Sequence, residues 1–467
     1  MPYPGQSAGK TGHADIVRNP DVMAFLQRCN EVPRPTPEDI QKLIAEASNA
    51  DAFGEHELPT IVLALDGSSY EANPDGVYPS RRIGYVKISS VALDMTRYRG
   101  LRIPGSRTID PLTVNMLLRD TEAFSMALPG AYVVPAGRQT AKEGFRYELQ
   151  GYMTSERTRL AKRTLHDTLK EVWAAMDRVE VGADGRRHLI VGCPEDGCEG
   201  RAAVDIELSV GRCPSCGAEV LLVDSLRLHE PFMETSDNQA VLNRLMNGVE
   251  HLLMLHYVLY LREVNRKLLS KLCIISDGPL AIFGEMAPLH RGVMKILGAI
   301  REEQREQGLG EPLIIGFSKT GRIVEHFASI EHIIAKAQPP HSFVFPVSDA
   351  YRYGYLEPTK NPSINHGKEV YYGQDFYIRM ASGRGFVMGL PYPFADRSRP
   401  DFQTAKTDVN HYGAIVGRAL RVVREFESDL YGSSLVPITL AHQHASISLK
   451  PGGRVLDILS KQSFETG

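Results

Sequence analysis

Residues 271–284 read Lys-Leu-Cys-Ile-Ile-Ser-Asp-Gly-Pro-Leu-Ala-Ile-Phe-Gly, a short apolar run that leads directly into Asp277. The run has the length and composition of a strand that is buried on both faces of a sheet. The Asp-Gly-Pro that follows predicts a turn, because Asp can bond its own backbone and Gly accepts a positive φ. Taken alone, Asp277 is explained by that turn at least as well as by a catalytic role.

The same pattern occurs earlier in the chain. Residues 59–65 (PTIVLAL) predict a buried strand that ends at Asp66-Gly-Ser-Ser69. Ligands collect beyond the carboxyl ends of strands in open α/β sheets, so Asp66 and Asp277 are expected at one edge. Two carboxylates that meet there repel each other unless a proton or a cation intervenes. A divalent metal ion is the simplest resolution.

A third acid is expected from the long helical pattern between Asn238 and about Lys271. Glu250 lies on a largely apolar stripe of that helix, formed by Met246, Leu253, Met254 and Tyr257. A carboxylate there needs a metal or a buried salt bridge. Glu263 instead precedes Arg266 and Lys267, the spacing of a solvated ion pair. We therefore assign Glu250 to the site and Glu263 to the surface.

Three further predicted strands are followed by polar residues that suit a catalytic edge: 312–317 by Lys319, 342–347 by Asp349 and 435–440 by His442. Each residue alone is more often a solvated lysine, a turn aspartate or a satisfied histidine. Their recurrence at strand ends is what favours a shared site. His444 is an alternative to His442, because residues two apart point to the same side of a strand.

Four of the six cysteines form two close pairs, Cys193-x4-Cys198 and Cys213-x2-Cys216, separated by fourteen residues. Two such pairs on Gly- and Pro-containing turns can hold Zn²⁺ tetrahedrally. Four thiolates leave no open coordination position, so the predicted zinc ribbon is structural or a docking surface. Unpaired buried cysteines are the alternative.

The remaining elements and the domain organisation are predicted from local patterns. Further elements are helices over 37–48 (capped by Thr36), 155–179 and 413–426, a strand over 82–95 and a hairpin around 382–385. The predicted organisation is an N-terminal arm and helix (1–48), the first part of a core domain (49–187), the zinc-ribbon insertion (188–224) and the second part of the core (225–467).

Composition and charge exclude several classes. With 467 residues the chain can build a full core, and its formal net charge of −3 argues against a generally basic nucleic-acid coat. The longest apolar run, 252–261, is about half of the ~20 residues that cross a bilayer, and no secretory signal is recognisable. We expect a soluble, cytoplasmic protein without a membrane segment.

The order of these motifs resembles the NurA family of nucleases. The resemblance covers roughly 59–445 and rests on DGS at 66–68, the Glu-bearing helix, DGPLAIFG at 277–284, GFSK at 316–319, SD at 348–349 and AH at 441–442. It implies an α/β, RNase H-like (PIWI-like) mixed sheet flanked by helices. It also implies that Asp66, Glu250 and Asp277 are acidic ligands of Mn²⁺ (or Mg²⁺), and that Lys319, Asp349 and His442 complete the catalytic site.

The same resemblance implies a DNA substrate, a homodimer and a HerA-type hexameric ATPase as partner, in DNA end processing, repair or anti-phage defence. The expected chemistry is two-metal, or one-metal-plus-lysine, hydrolysis of a phosphodiester. The four-cysteine segment and the long interval from Glu250 to Asp277 depart from the compact family members. Two other functions stay open: a catalytically weak dimeric adaptor on a ring ATPase or DNA, and an RNase H-like nuclease acting on RNA.

Overall fold

The computed structural model describes residues 16–29, 34–74, 79–101, 121–337, 342–357, 370–428, 434–446, 456–458 and 460–461. Within them the chain forms a nine-stranded mixed sheet flanked by helices and a separate five-stranded antiparallel sheet. The predicted class, a mixed α/β sheet with a four-cysteine module, is confirmed. No helix in these ranges is both long enough and apolar enough to cross a membrane.

The strands of the large sheet are β1 (Ser48–Asn49), β2 (Ile61–Ala72), β3 (Ile83–Asp94), β4 (Thr121–Pro129), β10 (Leu272–Asp277), β11 (Leu313–Ser318), β12 (Phe343–Pro346), β13 (Gly373–Arg379) and β14 (Gly385–Pro391). Those of the small sheet are β5 (Val179–Val181), β6 (Arg187–Gly192), β7 (Arg201–Asp205), β8 (Val210–Arg212) and β9 (Glu219–Leu221). The helices are α1 (Pro20–Arg28), α2 (Pro37–Ala45), α3 (Met95–Gly100), α4 (Ala141–Thr154), α5 (Leu165–Ala175), α6 (Gln239–Val264), α7 (Arg266–Leu269), α8 (Leu289–Glu306), α9 (Arg322–Ala337), α10 (Asp349–Tyr351), α11 (Phe402–Ala405), α12 (Ala414–Phe426) and α13 (Val436–Ala445).

The central part of the large sheet has the strand order β4-β3-β2-β10-β11. β2, β3 and β4 form an antiparallel meander, β10 runs parallel to β2, and β11 runs parallel to β10. This is the strand arrangement of an RNase H-like core. β14, β13, β12 and β1 extend the sheet beyond β11 in antiparallel pairs.

The fold-deciding run at 272–277 becomes β10, the strand between β2 and β11. Its first five residues are buried, as expected for a strand that is covered on both faces. Gly278 has φ +98° and makes the predicted turn. A Cβ on Gly316 of β11 would lie only 2.8 Å from the carbonyl oxygen of Gly278. A side chain at position 316 would therefore collide with the turn that follows Asp277, and glycine avoids that collision.

The predicted end of the first strand at residue 65 is wrong. β2 continues through Asp66-Gly67-Ser68 to Ala72 and pairs with β3 over its whole length. Gly67 does not have a positive φ, and Asp66-Gly67 is extended backbone within β2 and not a turn. Asp66 therefore lies in the middle of a long strand.

The predicted strand over 435–440 is also wrong, because these residues begin α13. Pro437 occupies the first turn of that helix, where its missing N–H costs nothing. A short apolar run does not distinguish a buried strand from a buried helix by periodicity. Here α13 packs across β2 and β3, which buries its apolar residues.

Other predicted elements differ mainly in their ends. The helix predicted over 37–48 has the expected N-terminal cap, Thr36, and ends at Ala45. The predicted hairpin joins β13 to β14. The long helical pattern breaks at Asn265 into α6 and α7. The predicted helix over 155–179 is shorter, over Leu165–Ala175, and β4 and α4 had no predicted counterpart.

The small sheet is fixed to the core through α4. Lys142 Nζ lies 2.8 Å from Asp196, Arg146 donates to the carbonyl oxygen of Glu219 at 2.8 Å, and Tyr147 donates to the Glu219 carboxylate. This sheet begins at β5, so the predicted module boundary at 188 falls inside β6. Of the predicted arm, residues 1–15 and 30–33 lie outside the described residues.

Candidate active site

Asp66 and Asp277 stand side by side on neighbouring parallel strands. Ser276 pairs with Leu65 in the β10–β2 register, which places the next residue of each strand, Asp277 and Asp66, beside each other. Asp66 is 4% exposed. The sheet therefore brings together the two acids that the sequence predicted at one edge.

Lys319 lies between the two carboxylates. Its Nζ is 2.7 Å from Asp277 Oδ2 and 3.5 Å from Asp66 Oδ2. β11 ends one residue earlier, at Ser318, and runs parallel to β10, so the strand direction carries this ammonium to the same edge.

His442 reaches the pair from α13. Its Nδ1 lies 2.8 Å from Asp66 Oδ2, and its side chain remains 47% exposed. Ligand atoms of Asp66, Asp277 and His442 all lie within 4.8 Å of one another. Residues two apart on a helix are about 200° apart around its axis, so His444 cannot face the same point. The structure brings His442, and not His444, to Asp66.

Glu250 lies directly behind Asp66, on α6. It is 6% exposed, and its carboxylate lies against the backbone of Gly67. A Cβ on Gly67 would lie 2.5 Å from Glu250 Oε1, so only glycine gives this carboxylate its present position. Glu263, by contrast, is exposed at the helix end, where its ion pair is with Arg163 and not with the predicted Arg266 or Lys267.

Asp66, Asp277 and Glu250 bring three carboxyl groups close together in a largely buried region. Burial, followed by the charges of Asp66 and Asp277, raises the pKa of Glu250 well above its ordinary value. Burial and the neighbouring Asp66 raise the pKa of Asp277 to about 6. Carboxylates this close repel one another, and a bound divalent cation would relieve that repulsion more fully than Lys319 alone. The donor set of carboxylate oxygens and one imidazole fits such an ion.

The structure does not bring Asp349 to this group. β14 runs antiparallel to both β11 and β13, so β13 runs in the same direction as β11. β12 is antiparallel to β13 and therefore runs in the direction opposite to β11 and β10. The carboxyl end of β12 therefore points to the opposite edge of the sheet from Asp277. Asp349 pairs there with Lys406, Oδ1 to Nζ 2.5 Å, beside the buried Arg352–Asp375 ion pair.

Two residues near the site were missed by the sequence reasoning. Gly67 was predicted to lie in a turn, but in the structure its missing side chain leaves the space that the Glu250 carboxylate occupies. Ser89, on β3, lies opposite Asp66 of β2 and is fully buried. Its Oγ has no hydrogen-bond partner within the described ranges. Only the strand pairing shows that Ser89 lies beside Asp66, and the chain carries no local pattern for it.

The four cysteines form a second group that fits a metal. Cys193 Sγ lies 3.5 Å from Cys216 Sγ, Cys198 Sγ lies 3.7 Å from Cys213 Sγ, and all four sulfur atoms lie within 4.8 Å of one another. These distances exceed a disulfide bond of about 2.05 Å. They are close to the separation of about 3.8 Å that follows from tetrahedral Zn–S bonds of about 2.3 Å.

No protein-family model matches this chain, and no curated protein matches it in sequence. Among solved structures, the NurA nuclease from Sulfolobus solfataricus is similar over 98% of this chain and 99% of its own, with 11% identity and a TM-score of 0.32. A second NurA structure is similar over 94% and 96%, with 10% identity and a TM-score of 0.26. Because both identities are near 10% and both TM-scores are below 0.5, these similarities carry no argument about function. The function of the chain is therefore inferred from its own residues.

Substituting Gly67→Ala should displace Glu250, because the new Cβ would overlap Oε1. We expect a lower melting temperature, since overpacking costs about 1–3 kcal/mol, and a weaker Mn²⁺ affinity by isothermal titration calorimetry. The matched control is Gly151→Ala, at an exposed helical position with open space around it. Additive effects of Gly67→Ala and Glu250→Ala on the melting temperature would contradict the proposed contact.

Substituting Cys198→Ser should prevent the cluster from binding zinc, because three thiolates and a hydroxyl no longer complete a four-thiolate site. We expect one zinc ion per purified parental chain by elemental analysis, and a small fraction of that in the variant. Cys29→Ser is the control, because Cys29 is exposed and outside the cluster. Equal zinc content in Cys198→Ser and the parental chain would rule out this cluster as the zinc site.

Proposed function

We propose that the chain is a metal-dependent nuclease that hydrolyses phosphodiester bonds of DNA. The observation that carries the proposal is the convergence of Asp66, Asp277 and His442 within metal-binding distance, with Lys319 between the acids. Glu250 is held against the same strand. Buried like charges of this kind are costly unless a cation is bound, and they cluster at functional sites.

Asp66, Asp277 and His442 would hold the catalytic ion, which we infer to be Mn²⁺ or Mg²⁺ because hard oxygen ligands dominate. When bound, the ion supplies a Lewis acid that polarises the phosphate and acidifies a water molecule. Glu250 lies on the opposite face of β2 from Asp66, where the missing side chain of Gly67 makes room for its carboxylate.

Lys319 and His442 carry the remaining chemistry of the chain. The Lys319 ammonium lies between the carboxylates, 17% exposed, where it can stabilise negative charge that develops on a phosphate oxygen. His442 lies with Nδ1 2.8 Å from Asp66 Oδ2 and is half exposed, so Asp66 orients its imidazole as the ligand on the solvent side of the site.

We assign Zn²⁺ to the four-cysteine module and a structural role to that ion. The four sulfur atoms complete a tetrahedral coordination sphere, so no position remains for substrate or water. The module contacts α4 by three polar interactions, which suits a rigid attachment to the core.

DNA as substrate, the homodimer and the HerA-type hexameric ATPase are proposed from the sequence motifs. The net charge of −3 is compatible with a motor that delivers DNA, because a delivered strand requires little affinity from the nuclease itself. Within this proposal the chain acts in DNA end processing, repair or anti-phage defence.

Asp66→Asn and Asp277→Asn should each reduce DNA cleavage in Mn²⁺ by at least about a hundredfold, because even second-shell losses at metal sites cost 10- to 100-fold. Asp51→Asn at an exposed position is the control. Cleavage of labelled DNA and RNA of one sequence is the measurement. Parental rates in either site variant would contradict the proposal, and selective cleavage of RNA would replace DNA by RNA as substrate.

We expect a dimer by size-exclusion chromatography with light scattering, and co-elution with a HerA-type hexameric ATPase from the same organism. A monomeric mass at micromolar concentration, or separate elution of the two proteins, would contradict the respective assembly. Neither outcome affects the catalytic assignment, which the aspartate variants test separately.

A further inference from the structure

A cleft of about 810 Å³ lies between the four-cysteine module and the helices of the core. Its walls come from the end of α5, from β6 and β7 of the small sheet, from residues 224–230 and from the first turns of α8. This volume is within the range of about 300–1,000 Å³ typical of ligand sites. The cleft contains none of the residues of the candidate active site.

The charged side chains of the cleft leave a cationic surplus. Its cations are Arg178, Arg201, Arg227, Arg291 and Lys295, and its acids are Asp177, Glu180, Asp224 and Glu230. Three of the acids are already paired: Asp177 with Lys295, Glu230 with Arg227, and Asp224 with the buried Arg146 outside the cleft lining. Across the described chain, Arg178 and Arg201 have no ion pair, and Glu180 is the single acid left for them.

The cleft also has flat apolar surface beside its charges. Trp173 and Ile190 both line it; Trp173 is partly exposed and Ile190 is 41% exposed. Stacking surface next to cations that track a backbone is the combination used for single-stranded nucleic acid. An acidic peptide without aromatic residues would use the cations and leave Trp173 without a stacking partner.

We propose that this cleft binds a single-stranded segment of nucleic acid, with phosphates at Arg178 and Arg201 and a base against Trp173. It is a binding site separate from the candidate active site. The module attached to α4 forms one wall, so the four-cysteine segment has a function beyond its own folding.

Trp173 is the one tryptophan of the chain, so its fluorescence reports on the cleft alone. The titrant is a short oligothymidylate, added to the zinc-bound protein without Mn²⁺ or Mg²⁺. We expect saturable quenching, and about tenfold weaker binding in Arg178→Glu/Arg201→Glu. The slope of log affinity against log salt should fall by about 1.4, because each phosphate contact to a single strand contributes about 0.7.

The control is Arg157→Glu/Lys162→Glu, which makes the same charge change at exposed positions outside the cleft and should bind like the parental chain. Labelled oligothymidylate that binds by anisotropy without quenching Trp173 would place the nucleic acid elsewhere and overturn the proposal. Stronger quenching by polyglutamate, or equal weakening in the control, would also overturn it. None of these measurements depends on cleavage, so they are independent of the nuclease assignment.

Discussion

The constraint on which this molecule depends is the forced proximity of two carboxylates, Asp66 and Asp277. The parallel pairing of β2 and β10 leaves them no freedom to separate, and α13 covers the strand beside them. Lys319 relieves part of the repulsion, and burial with the charge of Asp66 still raises the pKa of Asp277 to about 6. A stable fold with these acids side by side is explained most simply by a cation that belongs there.

The sequence predicted those parts of the site that depend on local periodicity. The apolar run before Asp277 and the Asp-Gly-Pro after it are sufficient to predict a buried strand and its turn. The apolar stripe around Glu250 distinguishes it from Glu263, and the structure finds Glu250 buried and Glu263 exposed. Each of these inferences requires only neighbours within two helical turns.

The parts that the sequence did not predict depend on the direction and pairing of distant segments. Asp349 follows a strand as Asp277 does, but β12 runs the other way, so the same local pattern leads to the opposite edge. His442 reaches Asp66 from a helix and not from a strand, because residues 436–445 form α13 with Pro437 in its first turn. Gly67 takes its importance from a side chain on α6, far away in sequence. None of these relations has a local signature.

We propose that Asp66, Asp277 and His442 bind a divalent cation where Lys319 now bridges the acids. An anomalous-difference map from crystals soaked in Mn²⁺ would locate that ion. We expect a peak in bonding contact with both aspartates and His442, and a Lys319 ammonium displaced from Asp277. A map without a peak at these residues, with Lys319 still paired to Asp277, would contradict it.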